Sequence, residues 1–298
     1  MNKQLVVGAD IGGSHITAAL IDIQTGAVIE SSIQKEAVNA AADAADIISR
    51  WASAIGKVIS NAPSDIKAIG IAMPGPFDYP NGIALIKGVA KYESLYGINI
   101  RTALKTALNF SGEIFFENDA SCFALGEAWA GDGAGVQRLV AITLGTGLGG
   151  TFLLDNTIQN EGEGVPPEGY IYHLPYKNGI AEDYISTRWL LREYSIRTGK
   201  QIDEVKTIGE LAAEQDATAL ELFETMGNAI GEVLTPWLAA FHAACLVIGG
   251  NIRKAHPFFL PALQQQLLRN NINTAVRISS KGEKSALTGA AWICKQSI

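Results

Sequence analysis

The stretch LVVGADIGGSHITAALID, residues 5–22, has a counterpart in LVAITLGTGLGGTFLLD, residues 139–155. Each is an apolar run, a turn of small residues and a second apolar run ending in aspartate, a pattern that predicts a β-hairpin. Glycine permits positive φ and lets the backbone amides of a turn approach a bound group closely. We therefore expect two hairpins whose turns suit the phosphates of a nucleotide.

The second stretch also tests a competing interpretation. Gly145, Gly147 and Gly150 match the spacing G-x-G-x-x-G of dinucleotide-binding proteins. That signature requires a helix after the glycines, because the helix N-terminus holds the pyrophosphate. Here residues 151–155 are short, apolar and β-like. A Rossmann oxidoreductase is therefore not expected.

Composition narrows the class of protein. The chain has 298 residues, 48% of them hydrophobic and 18% charged, which is typical of a globular protein and long enough for two domains around a cleft. The formal net charge of −7 argues against a nucleic-acid partner. No segment approaches the length of a membrane span, and no signal peptide is expected, so we expect neither a membrane partner nor export.

The cysteines favour a reducing compartment. The three cysteines, Cys122, Cys245 and Cys294, are odd in number and far apart, so neither a disulfide framework nor a Cys-x-x-Cys zinc site is supported. Cys122 and Cys245 lie among apolar neighbours and are expected to be buried. The expected location is the cytoplasm.

Strands and helices alternate along both halves of the sequence. In the first half we predict helices over 36–61, over 100–108 and from 118–119 to about 129, with strands at 66–72 and 113–117. In the second half, helices are predicted over 181–198, 207–214, 216–242, 257–270 and 285–295, with strands at 245–249 and 275–279. A hairpin followed by alternating elements, used twice, predicts duplicated α/β domains.

Asp119 is the first candidate for chemistry. It follows an apolar strand, at the strand end where α/β proteins place reactive groups. A carboxylate there can accept the proton of a sugar hydroxyl as that oxygen attacks a γ-phosphate. Asn118 and Asp119 are also preferred helix N-caps. The pair leaves room for both roles, with one residue capping and the other facing the cleft.

Asp10 and the pair Gly249–Gly250 carry the same ambiguity. Asp10 beside Gly12–Gly13 suits a Mg²⁺ site, directly or through water, but it also suits a polar strand end at a turn. Gly249–Gly250 suits either a plain turn after a strand or bare backbone on which an adenine or ribose lies.

Five motifs together resemble the repressor/ORF/kinase (ROK) family of sugar kinases, within the actin/hexokinase-like ATPase superfamily. They occur in family order between residues 10 and 250: DIGGS at 10–14, IAMPGP at 71–76, ENDA at 117–120, LGTGLGG at 144–150 and VIGG at 247–250. Each motif is weak alone, whereas five in sequence are specific.

The resemblance implies an α/β fold of two actin-like (ribonuclease H-like) domains flanking a cleft that holds sugar and ATP–Mg²⁺. The first domain is expected at 1–117 plus 285–298, and the second at 118–284. The expected partners are a small-molecule sugar and a nucleotide, and the chain is expected to form a homodimer.

The resemblance also implies roles for individual residues. Asp119 is the expected general base, and Asp10 the organiser of Mg²⁺ and phosphate. The residues implied in sugar binding are Gly75, Asn118, Asp119, Glu168, His173 and Glu182. Those implied in nucleotide binding are Asp10, Gly12, Gly13, Ser14, Gly145, Thr146, Gly147, Gly249 and Gly250.

The sequence departs from the family pattern in one loop. Family members usually carry Gly-Glu-x-Gly-His followed by a cysteine-rich zinc loop, whereas here Glu168 and His173 are five residues apart and residues 176–181 hold no cysteine. We therefore expect no structural zinc. His15 stands where a lysine is common in the family.

These patterns predict an ATP-dependent hexose kinase, with glucose 6-phosphorylation as the leading hypothesis. The same chemistry on fructose, mannose or an N-acetylhexosamine is the nearest alternative, and a non-catalytic sugar-binding regulator is another. A sugar-responsive repressor of the same family needs a DNA-binding segment ahead of the first hairpin, which is not expected in a chain whose first strand begins by Leu5.

Overall fold

The structure is a computed structural model that describes residues 4–88 and 91–297. The strands are β1 (Leu5–Ile11), β2 (His15–Asp22), β3 (Gln34–Ala37), β4 (Ala68–Met73), β5 (Phe77–Asp78), β6 (Ile83–Ala84), β7 (Glu113–Asn118), β8 (Arg138–Leu144), β9 (Leu148–Leu154), β10 (Thr157–Gln159), β11 (Pro175–Tyr176), β12 (Gly179–Ile180), β13 (Cys245–Gly249) and β14 (Ala275–Ile278). The helices are α1 (Ala44–Ser60), α2 (Ile100–Leu108), α3 (Asp119–Ala130), α4 (Thr187–Thr198), α5 (Val205–Ala213), α6 (Ala217–Ala240), α7 (His256–Arg269) and α8 (Glu283–Ser297).

The chain forms two compact units with the same sheet topology. Met1–Gly131 with Glu283–Ile298 forms the first unit, and Asp132–Gly282 forms the second. The first sheet has the order β3-β2-β1-β4-β7 and the second the order β10-β9-β8-β13-β14. In each sheet the first three strands are antiparallel and the last three parallel. The predicted α/β class, with its pattern used twice, is confirmed.

Both predicted hairpins are present. In the first, β1 pairs with β2 along its whole length, and in the second, β8 pairs with β9. The glycines at 145–150 lead into the strand β9 rather than into a helix. The expectation that this motif is not a dinucleotide-binding signature is therefore confirmed.

The predicted helix over 36–61 was too long at its start. Residues Gln34–Ala37 pair with β2 as an edge strand, and α1 begins only after Asp43, whose side chain accepts the Asp46 N–H. The sequence QKEA is polar and half exposed, so nothing apolar marked it as a strand. The helix predicted over 181–198 likewise begins late, at Thr187, because Ser186 is its N-cap.

All three cysteines are free and buried, as expected for Cys122 and Cys245. Within residues 4–88 and 91–297, no helix combines the length and apolar character needed to cross a bilayer.

The sheet of the first unit is covered on both faces. The side chains of β1 alternate, so that Val7 and Ala9 join the core cluster that contains Trp51 of α1, whereas Val6 joins the cluster that contains Leu287 of α8. By the same alternation Asp10 lies on the α8 side of the sheet, at the end of its strand. The helix α3 packs on this side too, since Cys122 clusters with Ala286 and Ala290 of α8.

Glycine allows α8 to approach its neighbours backbone to backbone. A Cβ built on Gly289 of α8 would lie 1.7 Å from the carbonyl oxygen of Cys122, and one on Gly126 of α3 would lie 1.9 Å from that of Ser285. On the sheet, a Cβ on Gly70 would lie 1.8 Å from the carbonyl oxygen of Ala290. Each of these positions excludes even a methyl group, so α3, α8 and the sheet lie as close as backbones permit.

The same packing explains where the first unit ends. Because α3 packs on α8, residues 119–131 belong to the first compact unit, beyond the domain end predicted at 117. The second unit correspondingly ends at Gly282, two residues before the predicted 284. The predicted domain boundaries themselves stay a prediction.

We expect Gly289→Ala to lower the free energy of unfolding by about 3 kcal/mol or more, because its methyl group forces α8 away from α3. The measurement is urea unfolding of the purified protein. Gly56→Ala in the interior of α1 is the matched control, since its Cβ would meet Leu108 only at 3.5 Å. That control should be neutral or stabilising by up to about 1 kcal/mol. Equal stability of the two variants would contradict the close α3–α8 contact.

Candidate active site

The carboxyl ends of three parallel strands bring the first group of candidate residues together. The strand β4 lies between β1 and β7, with Asp10 paired in register with Ala72 and Met73 with Asn118. Asp10, Asn118 and Asp119 therefore lie at one edge of the first sheet, and the loop after β4 carries Gly75 to the same edge.

Asp10 is held in an electrostatically unfavourable place. Its pKa is raised to about 7, first by burial and then by the nearby carboxylates of Asp119 and Glu283, against a smaller opposite effect of Lys35. No hydrogen bond or ion pair to this carboxyl occurs within residues 4–88 and 91–297. A carboxyl that is desolvated, beside other carboxylates and without a donor suits a bound cation better than an ordinary strand end.

The residues present fit Mg²⁺. Carboxylate oxygens are the ligands that Mg²⁺ prefers, and one or two of them with substrate phosphates complete its usual shell. In the described part of the chain, no group of three or more His, Cys, Asp or Glu side chains is arranged to hold a metal by itself. Asp10 with a nucleotide phosphate is therefore the arrangement that this edge could support.

Asn118 has the capping role that the residue types of both Asn118 and Asp119 allow. The Asn118 Oδ1 accepts the N–H groups of Ala120 at 3.0 Å and Ser121 at 3.2 Å, so this residue is the N-cap of α3. The Asp119 Oδ1 accepts the Ala120 N–H at 2.9 Å. Burial raises the pKa of Asp119, and its hydrogen bonds oppose that rise. A carboxylate with a raised pKa is a stronger proton acceptor than one with the ordinary pKa of aspartate.

Tyr79, which the sequence did not single out, joins Asn118 to the Gly75 loop. The Asn118 Nδ2 donates to the Tyr79 Oη at 3.2 Å, and that hydroxyl donates to the Met73 carbonyl oxygen at 3.2 Å. A Cβ on Gly75 would lie 3.3 Å from the same hydroxyl. Gly75 and Asn118, both expected to contact sugar, therefore lie on either side of one phenol group.

The turn of the first hairpin keeps two amides available. The Gly12 N–H donates to the His15 carbonyl oxygen at 2.9 Å, whereas those of Gly13 and Ser14 have no acceptor in the described part of the chain. The Tyr92 hydroxyl donates to the Gly12 carbonyl oxygen at 2.5 Å, and burial raises the pKa of Tyr92 to about 12, so it stays a donor. Tyr92 lies 80 residues from Gly12 in the sequence, so no local sequence pattern predicted this hydrogen bond.

The turn of the second hairpin has the same character. The Gly145 N–H donates to the Gly147 carbonyl oxygen at 3.0 Å, which leaves the amides of Thr146 and Gly147 without acceptors among the described residues. Glu182 lies directly on this turn: its Oε2 accepts the Leu148 N–H at 2.9 Å. A Cβ on Gly147 would lie 2.3 Å from that oxygen, so a side chain at 147 would displace the Glu182 carboxylate from the turn.

Gly249 and Gly250 lie beside the second turn. In the sheet Gly249 pairs with Thr143, and Gly250 has φ 77° with its Cβ position 2.2 Å from the Leu144 carbonyl oxygen. Arg253 links the backbone of Gly250 to that of Ser279: its Nη1 donates to the Gly250 carbonyl oxygen at 3.0 Å, and its Nε donates to the Ser279 carbonyl oxygen at 2.9 Å. The predicted phosphate and adenosine motifs are therefore neighbours in the second unit.

Glu168 and His173 are in different surroundings. Glu168 is exposed, with φ 58° in a short 3-10 turn, and within the described ranges it makes no hydrogen bond or ion pair with His173 or Glu182. The His173 Nδ1 is buried without a partner among the described residues. It also lies near Glu182 in the fold, since the Glu182 N–H donates to the Tyr172 carbonyl oxygen at 3.0 Å. Of the two, His173 has the surroundings of a ligand-binding side chain.

An aromatic cluster holds the segment in which family members carry zinc ligands. The ring of Tyr176 packs edge-on against Tyr184 with centroids 5.1 Å apart, and its hydroxyl hydrogen-bonds Glu232 of α6 at 2.6 Å. The Lys177 ammonium lies 5.0 Å and 5.3 Å from the two ring centroids. Side-chain packing therefore fixes the β11–β12 hairpin next to His173 and Glu182.

Comparison with known proteins identifies the class. The sequence profile of the ROK family matches residues 6–297. The chain belongs to the ROK family.

Individual relatives are distant but cover the whole chain. A glucokinase of Thermotoga maritima is 25% identical over 100% of this chain and 99% of its own length. An N-acetyl-D-glucosamine kinase of Haemophilus influenzae is 24% identical over 95% of this chain and 97% of its own. Among solved structures, the ROK family glucokinase of Streptomyces griseus in complex with glucose and AMPPNP has a TM-score of 0.80 and 25% identity, covering 98% of this chain and 99% of that one.

We expect Asp10→Asn to stabilise the ligand-free protein as the pH rises. Because the folded-state pKa is raised from 3.8 to about 7, the carboxyl favours folding at low pH and loses that contribution as the pH rises through 7. One pKa unit corresponds to about 1.4 kcal/mol, and the partial exposure of Asp10 reduces the effect. The gain at pH 8 should be about 1 kcal/mol or more, which is roughly 2–4 °C in Tm.

The measurement is thermal unfolding of wild type and Asp10→Asn at pH 5 and pH 8 without added divalent ions. Asp46→Asn, in the first turn of α1 with a side chain that is 44% exposed, is the control and should show no pH-dependent gain. A gain for Asp10→Asn that is as large at pH 5 as at pH 8 would disprove the raised pKa.

Proposed function

We propose that this protein is a sugar kinase that transfers the γ-phosphoryl group of ATP to a hydroxyl of a free hexose. The observation that carries the proposal is the pair of carboxyls, Asp10 and Asp119, with raised pKa values near the end of β1 and at the start of α3. Membership of the ROK family and the relatives that act as sugar kinases support it.

The proposed chemistry assigns Asp119 the role of general base. Its carboxylate takes the proton of the sugar hydroxyl while that oxygen forms a bond to the γ-phosphorus and the bond from phosphorus to the β–γ bridging oxygen breaks. Mg²⁺, when bound, neutralises the negative charge that develops on the phosphate oxygens. Asp10 would hold that ion, and the free amides at Gly13, Ser14, Thr146 and Gly147 would orient the phosphates.

The residues proposed to bind sugar are among those that the family resemblance implies. Asn118 and Gly75, joined by Tyr79, would contact sugar hydroxyls. Glu182 and His173 are proposed for the same role, and the His173 Nδ1, which has no partner among the described residues, is available to a hydroxyl. Each carboxylate oxygen can accept two hydrogen bonds, so Glu182 can bind a hydroxyl in addition to the Leu148 N–H.

Glucose is the proposed substrate, as in the glucokinase relatives from Thermotoga maritima and Halalkalibacterium halodurans. We expect sugar-dependent release of ADP from Mg–ATP in a coupled assay, with glucose giving the highest kcat/KM among free hexoses and N-acetylhexosamines. If an N-acetylhexosamine has the higher kcat/KM, it is the substrate instead of glucose, and the proposed kinase activity still holds. If calorimetry shows sugar binding but no sugar-dependent ADP release occurs, the protein is a sugar-binding regulator rather than a kinase.

Asp119→Asn should lower kcat by about 10²–10⁴-fold, the usual worth of a general base. The amide oxygen can still accept the Ala120 N–H, so α3 and the affinity for sugar should be retained. Glu117→Gln is the matched control: Glu117 lies two residues away, its pKa is also raised by burial, and glutamine keeps an acceptor for the Asn118 N–H. It should stay within a few-fold of wild type. If the Asp119 variant does too, this residue is not the base.

A further inference from the structure

An arginine that the sequence patterns did not single out lies next to the second glycine turn. The helix α4 begins against that turn, since the Thr187 N–H donates to the Gly145 carbonyl oxygen at 2.8 Å. The next residue, Arg188, forms an ion pair with the Glu182 Oε1. Because the other oxygen of that carboxylate accepts the Leu148 N–H, one carboxylate joins the guanidinium group to the turn.

Most of the hydrogen-bonding capacity of Arg188 is unused. A guanidinium group has five N–H donors, and in the described part of the chain Glu182 is its partner through a single nitrogen, Nη2. The Arg188 side chain is 65% exposed. A fixed fork of free N–H donors matches the geometry of phosphate oxygens, for which arginine is well suited.

A purely structural ion pair is the alternative. Exposed pairs of this kind contribute about 0–1 kcal/mol to stability and need no particular neighbour. Arg192, one helical turn further along α4, makes such a pair with Glu193 and has 56% side-chain exposure. Only Arg188 is linked through its carboxylate to a turn whose Thr146 and Gly147 amides lack acceptors among the described residues.

We propose that Arg188 binds a β- or γ-phosphate oxygen of the nucleotide at the second glycine turn, with Glu182 as the residue that positions it. The free amides of the turn supply partial positive charges, and the guanidinium adds a full one beside them. This inference rests on the proposed kinase function. It gives Glu182 a second task, because the same carboxylate that is proposed to contact sugar also orients a phosphate ligand.

The test is calorimetric binding of Mg–AMPPNP and of AMP to wild type, Arg188→Met and Arg192→Met, with folding checked by thermal unfolding. Loss of one charged hydrogen-bonding contact should weaken Mg–AMPPNP binding about ten-fold or more in Arg188→Met. AMP, which lacks the β- and γ-phosphates, should bind within a few-fold of wild type. Arg192→Met should bind both ligands like wild type.

The positioning role of Glu182 has its own readout. In a Glu182→Gln background, Arg188→Met should weaken Mg–AMPPNP binding much less than in wild type, because the arginine is no longer held at the turn. An unchanged effect of Arg188→Met in that background would remove Glu182 from the inference.

Three other results would overturn the phosphate contact. If the Arg188 and Arg192 variants bind Mg–AMPPNP equally well, the contact of Arg188 with Glu182 is only a surface ion pair. Equal losses for Mg–AMPPNP and AMP would indicate damage to the nucleotide site as a whole. Wild-type protein that binds no Mg–AMPPNP would remove the proposed kinase function together with this inference, whereas the first two results leave that function intact.

Discussion

Backbone-to-backbone packing of α8 against α3 and the first sheet is the contact on which the first unit depends. Gly70, Gly126 and Gly289 each face a carbonyl oxygen at a distance that admits no side chain. Because α3 starts at Asp119 and Asp10 lies one residue before the end of β1, the closeness of helix and sheet also sets how near the two carboxyls lie. A packing constraint far from either carboxyl therefore shapes the electrostatics of the candidate site.

The electrostatic consequence opposes stability. Desolvation raises the pKa values of both Asp10 and Asp119, the Asp119 carboxylate raises that of Asp10 further, and at neutral pH this arrangement costs folding free energy. The tightly packed cores on both faces of the sheet offset this cost. Strain of this kind is common where a protein holds charged groups ready for a ligand, since the ligand removes the repulsion when it binds.

The second unit repeats the topology of the first but secures its loops differently. At its second glycine turn, the Glu182 carboxylate accepts the Leu148 N–H, and Gly250 packs against Leu144 just before the turn. The β11–β12 hairpin depends on the contacts of Tyr176 with Tyr184 and Glu232. Side-chain packing thus holds this hairpin, in a segment whose sequence has no thiolate ligands.

The sequence alone determined the two hairpins, the α/β class, α2 at its observed bounds and the turn glycines, because these follow from local periodicity and from the conformational freedom of glycine. It did not reveal the polar edge strand β3, whose side chains lack an apolar face. Only the tertiary structure showed that Asn118 caps α3, that Tyr92 reaches Gly12 and that Arg188 is tied to the second turn. Such contacts depend on packing between distant segments, on which spacing along the chain carries no information.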